Sequence, residues 1–176
     1  MKMRFKILTG LLLIGLIGFR SPANGGILWA DVGVNGLTCS MCSRSVEMSI
    51  RKLDFVDRVE MNLEHTEGRV YFKPSALINL DQVAKAVVNA GFSVRFLEIG
   101  FDFSKTRVEG DGTFEFQGQQ YKWLDFPGSV DAVGQVELKL VDEHFLPKKE
   151  GAEWKKKLSI SDAPDRKKVL HVVLAG

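Results

Sequence analysis

Apolar and polar residues alternate between Leu28 and Val34, which puts Leu28, Ala30, Val32 and Val34 on one face of an expected strand. Gly36-Leu37-Thr38-Cys39 breaks the alternation, and helical spacing follows. Val46, Ile50 and Leu53 stand at i, i+4 and i+7, one side of a helix expected over 41–53. Val59, Met61 and Leu63 restore the alternation as a second strand, and His65-Thr66-Glu67-Gly68 has turn chemistry. Val70 and Phe72 mark a third strand ending at Pro74. Asp81 opens a second helix, where an acid suits the positive helix start. Val83, Ala86, Val87 and Ala90 form its apolar stripe, and Gly91 is its stop. Phe92, Val94 and Phe96 complete a fourth strand.

This order, β-α-β-β-α-β, is the split βαβ arrangement of a ferredoxin-like domain, expected at 27–99. From Gly100 to Gly176 the helical spacing disappears. Short alternating runs stand at 101–108, 113–116, 119–126, 136–141, 154–160 and 169–174. Gly110-Asp111-Gly112, Pro127-Gly128, Pro147 and Ser161-Asp162-Ala163-Pro164 supply turn signals between them. Six of the 12 Phe residues lie in this segment with Trp123, Trp154 and Tyr121, large side chains of the kind a small β-core needs. The expected fold class is therefore α+β, a ferredoxin-like domain followed by a small all-β sandwich or barrel at 100–176. The boundary falls at about 98–104, with no long linker and no internal repeat.

The first 23 residues have the grammar of a signal peptide: Lys2, Arg4 and Lys6, then an uncharged apolar stretch from Ile7 to Phe19, then Ser21-Pro22-Ala23 for cleavage before Asn24. The apolar stretch is too short to span a bilayer. Cleavage changes the charge balance. It removes four of the 24 basic side chains, leaving 20 against 22 acids and a formal charge of −2 in place of +2. The basic calculated pI of 8.5 thus reflects the leader and is no sign of affinity for nucleic acid. The expected location is periplasmic or secreted, with no stable membrane span after cleavage. The whole chain is 45% hydrophobic and 26% charged, the balance of an ordinary folded protein.

Two cysteines carry the chemistry. Cys39-Ser40-Met41-Cys42 sits between an expected strand and a helix start, so a curling loop can bring both sulfurs to one point. Unpaired backbone N–H groups at the helix start favour thiolate over thiol, chiefly at Cys42, and Arg44 adds positive charge. Two sulfurs without a nearby histidine do not complete a tetrahedral zinc site. They suit two-coordinate binding of a soft ion, Cu(I) first and Hg(II) next. Such an open site can pass its ion to an incoming thiolate by ligand exchange.

Gly36-Leu37-Thr38-Cys39-Ser40-Met41-Cys42, the element order and the closing Asn89-Ala90-Gly91-Phe92 together resemble the heavy-metal-associated domain. That domain occurs in copper chaperones, in the amino-terminal repeats of copper-transporting P-type ATPases and in the mercuric-ion-binding periplasmic protein. The resemblance covers about Asp31 to Leu97. It implies that Cys39 and Cys42 are the metal ligands, that Thr38 shapes the approach to the first sulfur, and that Phe92 covers the site. It also implies a thiolate- or thioether-bearing donor or acceptor protein as partner. Leu37 stands where the family usually has a packing Met, a swap that costs under about 1.5 kcal/mol. The resemblance accounts for nothing beyond Gly100.

Other readings stay open for the same residues. A C-x-x-C pair also serves thiol–disulfide oxidoreductases, although those have an aromatic residue before the first Cys where this chain has Thr38. A structural disulfide would close only a tiny loop. A third reading makes 100–176 the working part, as a metal-linked protein-interaction module. Met41 is read as an adaptable loop residue. His65 is read as solvated, at the end of the fold opposite the first loop, and His144 and His171 as structural. Lys155-Lys156-Lys157 and Arg166-Lys167-Lys168 are read as solvated strand ends. No serine–histidine–aspartate order, phosphate-binding glycine loop or paired carboxylates suggest an enzyme.

Overall fold

Residues 25–128, 135–158 and 168–176 are described by the computed structural model. The leader at 1–23, the turn at 161–164, and Arg166 and Lys167 lie outside the described residues. The chain runs β1 (Gly26–Asn35), α1 (Ser40–Arg51), β2 (Val56–Asn62), β3 (Glu67–Phe72), α2 (Leu80–Asn89), β4 (Ser93–Asp102), β5 (Thr113–Phe116), β6 (Gln119–Trp123), β7 (Gln135–Leu140), α3 (Lys148–Leu158) and β8 (Val169–Leu174). Short 3-10 turns stand at Phe103–Lys105 and Glu143–Phe145.

The first four strands take the order β2-β3-β1-β4, all antiparallel, as a split βαβ unit requires. Ala30, Val32 and Val34 of β1 are fully buried beneath Val46 and Ile50 of α1 and Val83 and Val87 of α2. Their alternation explains the single buried face, because successive side chains of a strand point to opposite sides. Gly91, at φ +91°, ends α2 as expected; Ala90 caps the helix and Phe92 N donates back to Val87 O at 3.2 Å.

The segment after Gly100 differs from the expected separate sandwich or barrel. Its strands continue the same sheet, giving eight strands in the order β2-β3-β1-β4-β7-β8-β6-β5. β4 runs through the expected boundary, and its residues Glu98 to Asp102 pair with Lys139 to Gln135 of β7. In the first four strands alone β4 would be an open edge with unpaired backbone groups; β7 covers it from Glu98 to Asp102. β8 adds antiparallel to β7, and β6 parallel to β8.

Of the strand expected at 154–160, residues 154–158 instead form the end of α3, so the segment is not all-β. Gly151, Trp154 and Leu158 lie on the inner side of this helix, and the lysines between them break any strand alternation. Gly151 N donates to Pro147 O at 2.9 Å, so Pro147 stands at the helix start. Residues 159–160 lie outside the described residues.

The aromatic residues do fill a core. Phe101, Phe103, Phe114, Tyr121 and Trp123 are buried. Phe101 and Phe103 have ring centroids 4.4 Å apart, and Phe114 stands 5.2 Å and 5.0 Å from them.

Two grips tie this second half to the start of α2. The Gln117 amide donates to Ala76 O and accepts from Ile78 N, both at 2.8 Å. Asp81 Oδ1 lies 2.5 Å from His144 Nε2, and Lys168 Nζ donates to Asp81 Oδ2 at 2.5 Å. Burial alone would push the Asp81 carboxyl up, but the bonds from His144 and Lys168 outweigh it and hold the group at about 2. A carboxyl lowered in the fold adds stability that is complete above its ordinary 3.8 and lost as pH falls through about 2. Asp81→Asn is expected to lower the unfolding free energy by about 2 kcal/mol at neutral pH and by much less near pH ~2, measured by urea unfolding at both. An equal loss at both would contradict this role.

Candidate metal centre

The site begins where β1 ends. Asn35 pairs with Ser93, and Asn35 Nδ2 donates to Ser93 Oγ at 3.3 Å. Gly36 takes φ +81°, a backbone region that favours glycine, and turns the chain off the sheet. Thr38 N then donates to Gly36 O at 3.0 Å. Leu37, only 2% exposed, drops into the core and anchors the loop from below.

Cys39 is the N-cap of α1, with extended backbone at φ −146° and ψ 157°. Its Sγ accepts a hydrogen bond from Cys42 N at 3.1 Å, and its carbonyl accepts from Ser43 N at 3.0 Å. Sulfur thus stands where serine, threonine or aspartate usually caps a helix. No acidic residue lies in the first turn of α1, so the sulfurs face the positive helix end without a competing carboxylate. Cys39 and Cys42 are joined as a disulfide, with their Cα atoms 5.2 Å apart. The expected convergence of the two sulfurs on one point is met in the oxidised state.

Around the pair, exposure is uneven. Cys39 and Thr38 are exposed, while Cys42 is half-buried and packs against the core. Met41 is 74% exposed. The half-buried Phe92 ring lies beside Gly36, so that a Cβ there would come within 3.9 Å of its Cδ1. Phe92 therefore borders the loop at Gly36.

His65 is not where the sequence reading placed it. β3 is antiparallel to β1 and starts where β1 ends, so the β2–β3 turn lies at the cysteine end of the sheet. Val34 N donates to Thr66 O at 2.9 Å, and Arg95 Nη2 donates to His65 O at 2.6 Å. The His65 residue itself is exposed, as expected of a turn. His144 and His171 lie elsewhere, each on a carboxylate: His144 on Asp81, and His171 Nδ1 at 2.9 Å from Asp142 Oδ1. These partners are distant in sequence, so no spacing rule could have shown them. Among the described residues no group of three or more His, Cys, Asp or Glu side chains gathers as a metal site. The two sulfurs are the whole soft donor set that the loop presents, apart from Met41.

Residues 31–93 match the family model described as the heavy-metal-associated domain. This part of the chain is a heavy-metal-associated domain. Its sequence is 30% identical over 81 residues to a probable copper-transporting ATPase, HMA5, of Arabidopsis thaliana, a match covering 46% of this chain and 8% of the ATPase. It is 35% identical over 71 residues to the cation-transporting ATPase HMA5 of Oryza sativa subsp. japonica, covering 40% of this chain and 7% of the relative. The matches thus span under a tenth of the length of these relatives. Among solved structures, the CopZ metallochaperone is 26% identical, with 38% of this chain and 97% of that chain covered and a TM-score of 0.35. Oxidized MerP from Ralstonia metallidurans CH34 is 27% identical, covering 38% and 90%, also with a TM-score of 0.35.

The capping role of Cys39 in this heavy-metal-associated domain separates two substitutions that remove the same ligand. Cys39→Ser keeps a good cap, whereas Cys39→Ala leaves the first-turn N–H groups unpaired and is expected to be about 1 kcal/mol less stable than Cys39→Ser. Urea unfolding of both variants under reducing conditions measures the difference. Equal stabilities would remove the capping role.

Proposed function

We propose that the chain binds a soft metal ion, Cu(I) in first place and Hg(II) next, through the thiolates of Cys39 and Cys42, and passes it to a thiolate- or thioether-bearing partner protein. The observation that carries this reading is the placement of both sulfurs together, at an accessible helix start, within a heavy-metal-associated domain. The names of its relatives, copper-transporting ATPases among them, supply the preference for copper. We place the work in the periplasm or outside the cell, on the strength of the leader.

The oxidised pair has no free thiolate, so loading begins with reduction. A dithiol reductant supplies the two electrons and two protons that convert the disulfide to two thiols, itself becoming a disulfide, and metal binding then releases the protons as the sulfurs become ligands. Two ligands leave the ion open to attack by a third. An incoming partner sulfur can bond before either original bond breaks, so the ion moves without being released to water. Exposure of Cys39 and Met41 beside the less exposed Cys42 gives the attack one open side.

The disulfide is also the observation that favours the second reading, thiol–disulfide exchange. That activity would let the protein reshuffle a test disulfide without metal. The interaction-module reading has less support, because the aromatic residues of the second half that the structure gathers fill a core and do not line a surface.

Reduced protein titrated with Cu(I) against a competing chelator is expected to take up one ion per chain. Cys39→Ser/Cys42→Ser is expected to lose competition with the chelator altogether. Equal affinity in both proteins would contradict the proposal, and so would efficient reshuffling of a test disulfide with no uptake of Cu(I).

A further inference from the structure

Lysine is concentrated on α3 as nowhere else in the described residues: Lys148, Lys149, Lys155, Lys156 and Lys157 stand against Glu150 and Glu153 in eleven residues. The helix sorts them by face. Lys148, Lys149, Ala152, Glu153, Lys156 and Lys157 are exposed and occupy one half of the helix surface. Glu150, Gly151, Trp154, Lys155 and Leu158 occupy the inner half. The inner charges are engaged: Glu150 Oε1 accepts from Lys139 Nζ at 3.1 Å, and Lys155 Nζ lies 3.5 Å from Glu143 Oε2. At the border, Lys157 Nζ stands 4.4 Å from the centre of the Trp154 ring. Gly151 backs directly onto Glu143, which fixes α3 to the turn that also carries His144.

We propose that the exposed face of α3 rests on an anionic phospholipid surface. Four lysines and one glutamate on one helix face match a diffuse plane of phosphates, and the flexible stems of Lys148, Lys149 and Lys156 let each ammonium find its own headgroup. A protein partner fits this face poorly, because a specific protein interface needs an apolar or aromatic centre and the face offers only Ala152. Nucleic acid fits poorly too, since the face holds no arginine fork for bidentate phosphate contact and no exposed aromatic ring for base stacking. The net negative charge of the chain after its leader makes the patch a local feature and not part of a general basic surface.

The position of α3 gives the contact a consequence. His144 reaches Asp81 at the first turn of α2, whereas the cysteine loop adjoins Phe92 beyond the last turn of the same helix. The two sulfurs thus stand at the end of α2 remote from the contact that ties the α3 side of the fold to that helix.

Co-sedimentation of the full chain with two kinds of vesicle tests this, one of phosphatidylglycerol and phosphatidylcholine in equal parts and one of phosphatidylcholine alone. Any contribution of residues 1–23 is common to wild type and variants. Lys148→Gln/Lys149→Gln/Lys156→Gln is expected to weaken binding to the anionic vesicles by roughly tenfold or more, and to leave binding to neutral vesicles unchanged. Lys52→Gln/Lys85→Gln/Lys105→Gln, which removes the same charge elsewhere, is expected to bind as wild type does. Equal binding by wild type and the α3 variant would overturn the proposal, as would an equal loss in both triple variants. Tighter binding to a short DNA duplex or to polyglutamate than to the anionic vesicles would overturn it as well. Cys39→Ser/Cys42→Ser is expected to bind vesicles normally, so the test stands or falls apart from metal binding.

Discussion

The ladder between β1 and β4 runs from Gly26 against Asp102 to Asn35 against Ser93. Its two ends do different work. At the Asn35 end the chain leaves the sheet through Gly36, buries Leu37 and delivers Cys39 to the start of α1. At the Asp102 end β4 accepts β7, and with it three further strands and an aromatic core. Because both ends belong to one antiparallel pair, the second half of the chain can enlarge the core without approaching the cysteine loop. The grips of Gln117 and of His144 with Lys168 also fall at the start of α2, the end remote from Phe92.

At the loop, one sulfur serves two physical needs. The first turn of a helix has N–H groups with no partner inside the helix, and Cys39 Sγ satisfies the one on Cys42. The same contact draws the two cysteines together at the helix start, where they are joined as a disulfide. An acidic cap would have completed the helix start as well, but would have set a hard oxygen donor and a negative charge beside the ion. Under the proposed function, so soft and sparse a donor set would favour soft ions and leave them open to exchange.

Local rules carried most of the first half. The alternation of Ala30, Val32 and Val34, the stripe of Val83, Ala86 and Val87, and the Gly91 stop all reflect interactions within a few residues. The cysteine pair was legible for the same reason. What was not legible depends on distant pairing. Nothing near Glu98 announces that Lys139 will lie beside it, so a continuous sheet read as two domains. The stripe of α3 is short and set among lysines whose long stems can lie along either kind of structure, so Trp154 read as the start of a strand. The placement of His65 failed differently: the β2–β3 turn must lie where β1 ends once β3 is antiparallel to β1, a consequence of topology that composition conceals. His144 and His171 each meet a carboxylate, 63 and 29 residues away, that no local pattern shows.

The account rests on two sulfurs, and nothing else from this chain, holding the ion. X-ray absorption at the copper edge of the reduced, Cu(I)-loaded chain reads the donor set directly. Two sulfur scatterers with no nitrogen or oxygen shell are expected. A histidine nitrogen in the first shell, or four donors around the ion, would contradict the open two-sulfur site.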